Sequence, residues 1–221
     1  MEIVYTCRSC NPLLFDKSQE CLGETLIPYV GYTADGYIES ILKIPNADWV
    51  VNIDEDAFVL DKERLLGLVS YMQTNGYHVS GVPDGGVIKG RTFNPLSPNA
   101  FFNIFDVKYI RGLTYTRLPM GDDLLPHIKN VEHLFRRRRK WKFIEYEPYY
   151  KIFFGLLRAG CKFLYLNEQL HQDQRTSILL DHENKPVLYH TWYARLYRTD
   201  PIATKRIDDR FNDARKQPAS C

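Results

Sequence analysis

The sequence predicts an α/β/α sandwich with a mostly parallel central sheet, and three observations carry that expectation. Short apolar runs of strand length alternate with segments of helical apolar periodicity along most of the chain. No internal repeat, low-complexity linker or shift in composition divides it, so one domain over residues 1–221 is expected, with about 195–221 as a C-terminal helix and tail. A chain of 221 residues can also bury roughly 70% of its unfolded surface in one core.

The elements follow in order. Glu2 to Tyr5 reads as a short buried strand, followed by a loop rich in small and polar residues. Thr33-Ala-Asp35-Gly36 opens a helix whose residues Tyr37, Ile38, Ile41, Leu42 and Ile44 share one face until Pro45 ends it. Trp49 to Ile53 is the next strand. Asp61 then caps a helix with Leu65, Leu68, Val69 and Met72 inward, closed by Asn75-Gly76. Tyr77 to Val82 is a strand running into the turn Pro83-Asp84-Gly85-Gly86, and Phe101 to Ile110 reads as another. Gly112 to Pro126 reads as loop, and His133 to Lys142 is dominated by the run Arg136 to Lys140. Tyr149 to Arg158 has the apolar density of a core helix stopped by Gly160, and Lys162 to Leu166 is a strand. Pro186 to His190 is the last strand and Pro201 to Lys216 a polar terminal helix.

Composition narrows the function. Lys+Arg 29 against Asp+Glu 27 gives a net charge of +2, which excludes the general cationic field of a nucleic-acid-binding protein. Five cysteines at irregular spacing read as reduced thiols; Cys7-Arg-Ser-Cys10 lacks the second pair that a zinc site needs. With no signal-like leader or spanning segment, a cytoplasmic protein without a transmembrane helix is expected. No Gly-x-Gly-x-x-Gly follows the first strand, which argues against dinucleotide oxidoreduction.

The most informative residues are Asp48-Trp-Val-Val-Asn-Ile-Asp54-Glu55-Asp56-Ala-Phe-Val, an apolar strand that runs straight into three carboxylates. In an extended segment Asp54 and Asp56 share one face and Glu55 points away. Two carboxylates on one face repel unless a cation lies between them, and such oxygen ligands are what Mg²⁺ or Mn²⁺ use while binding substrate phosphates. The carboxyl ends of strands are where open α/β sheets bind ligands.

This segment resembles the Asp-x-Asp motif of the GT-A family of nucleotide-sugar glycosyltransferases, whose fold is a Rossmann-like sandwich. Glu147-Pro-Tyr-Tyr-Lys-Ile-Phe-Phe-Gly-Leu-Leu-Arg-Ala-Gly160 and the strand after it are similar to the family's second signature, although Glu147-Pro148 stands where many members have Glu-Asp. Val187-Leu-Tyr-His190-Thr-Trp-Tyr193 resembles the late histidine that completes the metal shell in some members. The resemblance implies Mn²⁺ or Mg²⁺ on Asp54, Asp56 and His190, and a nucleotide-sugar donor, a UDP-sugar favoured. Thr6 and Arg8 after the first strand, Asp35, Glu55 and Asn103 would contact the donor, and a glycan or other hydroxyl acceptor would receive the sugar.

An inverting enzyme would add a carboxylate to deprotonate the acceptor: Glu147, with Glu145 as its alternative and Asp122 or Asp123 behind. Arg136 to Lys142 would serve an anionic acceptor, the donor phosphates or a peripheral membrane contact, or be a solvated face. The rivals are a sugar-phosphate nucleotidyltransferase and a non-catalytic nucleotide-sugar or glycan-binding module.

Overall fold

The computed structural model describes residues 1–84, 86–88, 94–135 and 145–216. In chain order the elements are β1 (Ile3–Ser9), α1 (Pro12–Leu22), β2 (Leu26–Val30), α2 (Ala34–Ile41), β3 (Trp49–Ile53), β4 (Ala57–Val59), α3 (Lys62–Asn75), β5 (Val79–Pro83), β6 (Pro98–Asp106) and α4 (Val107–Ile110). After a 3₁₀ segment, Asp122–Asn130, come α5 (Glu132–Phe135), α6 (Tyr150–Arg158), β7 (Phe163–Tyr165), β8 (Glu168–Leu170), β9 (Ser177–Leu180), β10 (Pro186–His190) and α7 (Pro201–Arg215).

Six strands form a sheet in the order β2-β1-β3-β6-β5-β7, in which β6 alone runs against its neighbours. The expected mostly parallel sheet is therefore present. Strand β3 lies at its centre and is buried along its whole length, which explains an apolar run with no polar alternation. Its residues divide by pleat. Val50 packs on the face covered by Ile38 and Ile41 of α2 and Phe153 and Leu157 of α6. Trp49, Val51 and Ile53 pack on the other, against Leu65, Leu68 and Met72 of α3.

The structure differs from the sequence reading in four places. The stretch after the first strand is not a loop: β1 continues to Ser9, and α1 and β2 follow. Asn11 caps α1 by accepting from the N–H groups of Leu13 and Leu14, Pro12 occupies its first turn, and Gly23 ends it at φ 69°. The strand expected from Phe101 to Ile110 stops at Asp106, whose side chain accepts from Tyr109 N–H and starts α4 instead. The loop expected over Gly112 to Pro126 gives way to the 3₁₀ segment from Asp122. Finally, β4, β10, β9 and β8 form a second, antiparallel sheet in that order. Phe58 of β4 lies between Leu14 of α1 and Ile207 and Phe211 of α7, so the terminal helix closes over the back of this sheet. Among the described residues no helix is long and apolar enough to cross a membrane.

Candidate metal centre

Strand β3 delivers the acidic residues at its carboxyl end, and a turn rather than an extended strand arranges them. Asp54 N–H donates to Phe101 O at 2.8 Å, and Ala57 N–H donates back to Asp54 O at 3.0 Å, closing four residues between β3 and β4. The antiparallel register then sets His190, the last residue of β10, opposite Ala57. Thus Asp54, Asp56 and His190 each offer a ligand atom, all within 4.8 Å of one another. His190 Nε2 stands 3.3 Å from Asp56 Oδ1. Asp56 and His190 are buried and Asp54 is partly open.

The electrostatics of the trio favour a cation. Burial and the neighbouring Asp56 carboxylate raise the Asp54 pKa to about 7, while Arg8 and His190 pull the other way. His190 is stacked on Phe101 at 4.0 Å and lies against Trp192 at 4.2 Å, and its Nδ1 is buried without a hydrogen-bond partner among the described residues. Two carboxylates in mutual repulsion beside the imidazole nitrogen Nε2 are the oxygen and nitrogen donors that Mn²⁺ accepts, and Mg²⁺ with more emphasis on the oxygens.

The other candidates divide into rim and framework. Arg8 is close enough to Asp54 for its charge to stabilise the carboxylate. Asp35 lies in the first turn of α2, where the Thr33 hydroxyl lowers its pKa, and Thr33 rather than Asp35 caps the helix. Because β2 is parallel to β1 and β3, the start of α2 lies along the same sheet edge as Asp54. Tyr32, just before it, is 46% exposed and meets Tyr29 edge-on at 5.3 Å. Its presence at this edge follows from β2, which the sequence reading lacked.

Thr6, Glu55 and Asn103 belong to the framework. Thr6 is within β1, fully buried, and shares a hydrogen bond of 2.7 Å with Tyr37 Oη. Asn103 is fully buried in β6 and accepts from Asn52 Nδ2 at 3.2 Å. Glu55, 5% exposed, points away from the trio and accepts from the N–H groups of Cys10 and Asn11. Cys7 is buried and Cys10 exposed, and both are free thiols, as are Cys21 and Cys161.

The expected bases separate along α6. Tyr150 Oη, in the first turn of that helix, donates to Asp84, which follows the carboxyl end of β5. Strand β5 is parallel to β3, so Glu147, just ahead of Tyr150, is on the edge that carries the trio. Asp123 instead pairs with Arg158, the last residue of α6, through contacts of 2.6 and 3.1 Å. That guanidinium lowers the Asp123 pKa, the reverse of what a base at neutral pH needs. Glu145 accepts from Met120 N–H at 2.7 Å. The run Arg136 to Lys142 lies outside the described residues.

No family model matches the chain, and no curated protein sequence does. Among solved structures it is similar to A197 from STIV, at 12% identity over 85% of this chain and 94% of that one, with a TM-score of 0.44. It is also similar to a glycosyltransferase involved in the glycosylation of the major capsid of PBCV-1, at 13% identity over 76% and 82%, with a TM-score of 0.41. At these scores the likeness carries no argument about activity, which rests on the site itself.

Proposed function

We propose that this chain is a metal-dependent glycosyltransferase of the GT-A type, moving a sugar from a nucleotide-diphosphate sugar, a UDP-sugar favoured, to a hydroxyl of a glycan or other acceptor. The observation that carries the reading is the convergence of Asp54, Asp56 and His190 at the carboxyl end of the central strand. In this reading residues 1–221 are one cytoplasmic catalytic domain, and the free thiols fit a reducing compartment.

Asp54, Asp56 and His190 would hold Mn²⁺ or Mg²⁺, which supplies positive charge to offset the negative charge building on the departing diphosphate. Arg8, beside Asp54, adds a second positive charge at the phosphates. Asp35 and Tyr32 lie along the same edge, where nucleoside recognition by hydrogen bonding and stacking is expected. As the bond from the anomeric carbon to the diphosphate oxygen breaks, the acceptor oxygen forms the new one. Glu147 takes the acceptor's proton in an inverting reaction. Thr6 and Asn103 act one layer below, holding the strands that present these groups.

Incubation with Mn²⁺ and a UDP-sugar is expected to give slow donor hydrolysis, with water in place of the acceptor. Asp56→Ala should reduce it at least a hundredfold, since removal of a single electrostatic stabiliser typically costs about 10²–10³. An Asp56→Ala protein as active as the native one would sink the assignment. Thermal shift across UDP-, GDP-, dTDP- and CMP-sugars with metal would identify the base.

A further inference from the structure

We propose that Arg206 of α7 is a positioning residue for the metal centre. It holds the turn Thr191-Trp192-Tyr193 in the left-handed conformation that aims His190 at Asp56. The inference rests on the metal reading above and adds to it a residue far along the chain.

The turn is built against local preference. Trp192 and Tyr193 stand at φ 60° and 64°, a region that L side chains rarely adopt and that bulky aromatics adopt least readily. Neither is a glycine, so the conformation has to be imposed by the surroundings. On one side Thr191 N–H and Oγ1–H both donate to the backbone oxygen of Asp56, each at 3.0 Å. Trp192 Nε1–H donates to Ser177 Oγ at 2.8 Å, which keeps the indole against the His190 ring. On the other side the two carbonyls of the turn face Arg206, whose Nη1 donates to Thr191 O and Nη2 to Trp192 O, the latter at 3.2 Å. A planar fork with fixed donors suits two adjacent carbonyls, and a lysine could not reproduce it.

Arg206 is set apart from the cations beside it. Lys205 pairs with Asp209 along the helix surface as i,i+4 partners do, and Arg210, itself turned inward against the His171 ring, still has an acidic partner in Asp213 at i+3. Arg206 forms no salt bridge among the described residues; it turns inward and is half-buried, at a desolvation cost that lowers its pKa. A half-buried guanidinium bound to the backbone of one turn, with no acidic partner among the described residues, implies that the turn's shape matters. What the turn presents is His190, one residue before it.

The test is a titration of Mn²⁺ onto the full chain, followed by electron paramagnetic resonance with and without UDP, alongside thermal unfolding. Arg206→Gln is expected to weaken Mn²⁺ binding about tenfold or more, the usual effect of losing a partner behind a metal ligand. Arg206→Lys should fall between. Adding Tyr193→Gly to Arg206→Gln should recover part of the affinity, because glycine adopts the left-handed region without Arg206. Ile207→Ala, which opens a cavity on the buried face of the same helix, should lower the melting temperature and leave Mn²⁺ affinity unchanged. Unaltered Mn²⁺ affinity in Arg206→Gln would overturn the inference while leaving the metal centre intact. Equal weakening by Ile207→Ala would overturn it as well, since the helix as a whole would then be responsible. A native protein that takes up no Mn²⁺ would overturn the metal reading, and this inference with it.

Discussion

Glu55 stands between two of the three metal-ligand candidates, Asp54 and Asp56, and does a different task. Its Oε2 accepts from Cys10 N–H at 2.6 Å, Asn11 N–H at 2.7 Å and Ser9 Oγ–H at 3.2 Å, at the entrance to α1. A helix start attracts anions through its unpaired N–H groups and its dipole. Here the chain supplies the anion itself and thereby fastens the Asp54–Asp56 turn to the end of β1. Glu55→Ala strands those donors and should destabilise the protein by about 1–3 kcal/mol, whereas Glu55→Gln retains a carbonyl acceptor and should cost less. Urea unfolding measures both. An Ala variant no less stable than the Gln variant would show that the contacts add nothing to the fold. From sequence, Glu55 is recognisable as facing away from its neighbours; its partners are not, because they lie more than forty positions earlier in the chain.

At the scale of elements, the sheet is cross-linked by buried amides. Asn52 of β3 lies opposite Asn103 of β6, with Tyr37 Oη donating to Asn52 Oδ1 at 2.7 Å and Asn103 Nδ2 donating to Asn99 O at 3.1 Å. Asn99 Nδ2 and Tyr150 Oη then both donate to Asp84. These groups connect α2, the central strands and α6 on one face of the sheet, and their burial is tolerable because each is paired. Gly81 of β5 lies opposite Asn103 and makes the fit possible. A Cβ there would stand 2.7 Å from Asn103 Nδ2, 2.8 Å from Pro98 Cβ and 2.9 Å from Phe102 O. Gly81→Ala should therefore cost about 1–3 kcal/mol through overpacking. Gly67→Ala, exposed in α3 with nothing within 4 Å of its Cβ, should instead stabilise by about 0.5–1 kcal/mol. If the two variants melt alike, close approach is not why residue 81 is glycine. Apolar periodicity made α3 legible, since it buries the face its spacing defines, and apolar density made β3 and α6 legible, since both are buried almost throughout. It failed for α1, whose marks were the cap Asn11-Pro12 and the stop Gly23 rather than its mixed faces. It failed also for β4, β8 and β9, too short to show alternation.

For the molecule as a whole, the acidic end of β3 and the late histidine were legible as separate signals, but the second sheet that joins them was not. Strand β10 meets β4 across most of the sequence, and only that pairing brings His190 to Asp56. Arg206 left no signal at all, being one cation among several in a polar helix. If the assembled site holds a metal as proposed, global stability depends jointly on protons and metal. Asp54 is raised from the ordinary 3.8 to about 7 by burial and by Asp56. A carboxyl with a raised folded pKa stabilises most when protonated, so its contribution is complete below about pH 4 and is lost as pH rises through about 7. On the proposed metal reading, Mn²⁺ would take the proton's place above that range and compete with it below. Unfolding by urea at pH 5 and pH 8 should therefore show a small Mn²⁺ stabilisation at pH 5 and a larger one at pH 8, approaching about 2.7 kcal/mol when free metal exceeds its Kd a hundredfold. Asp54→Asn, which cannot titrate, should flatten the metal-free difference attributable to this site and remove most of the Mn²⁺ effect. Equal Mn²⁺ stabilisation at both pH values would mean that metal and proton do not share the site. A full response retained in Asp54→Asn would place the ion elsewhere.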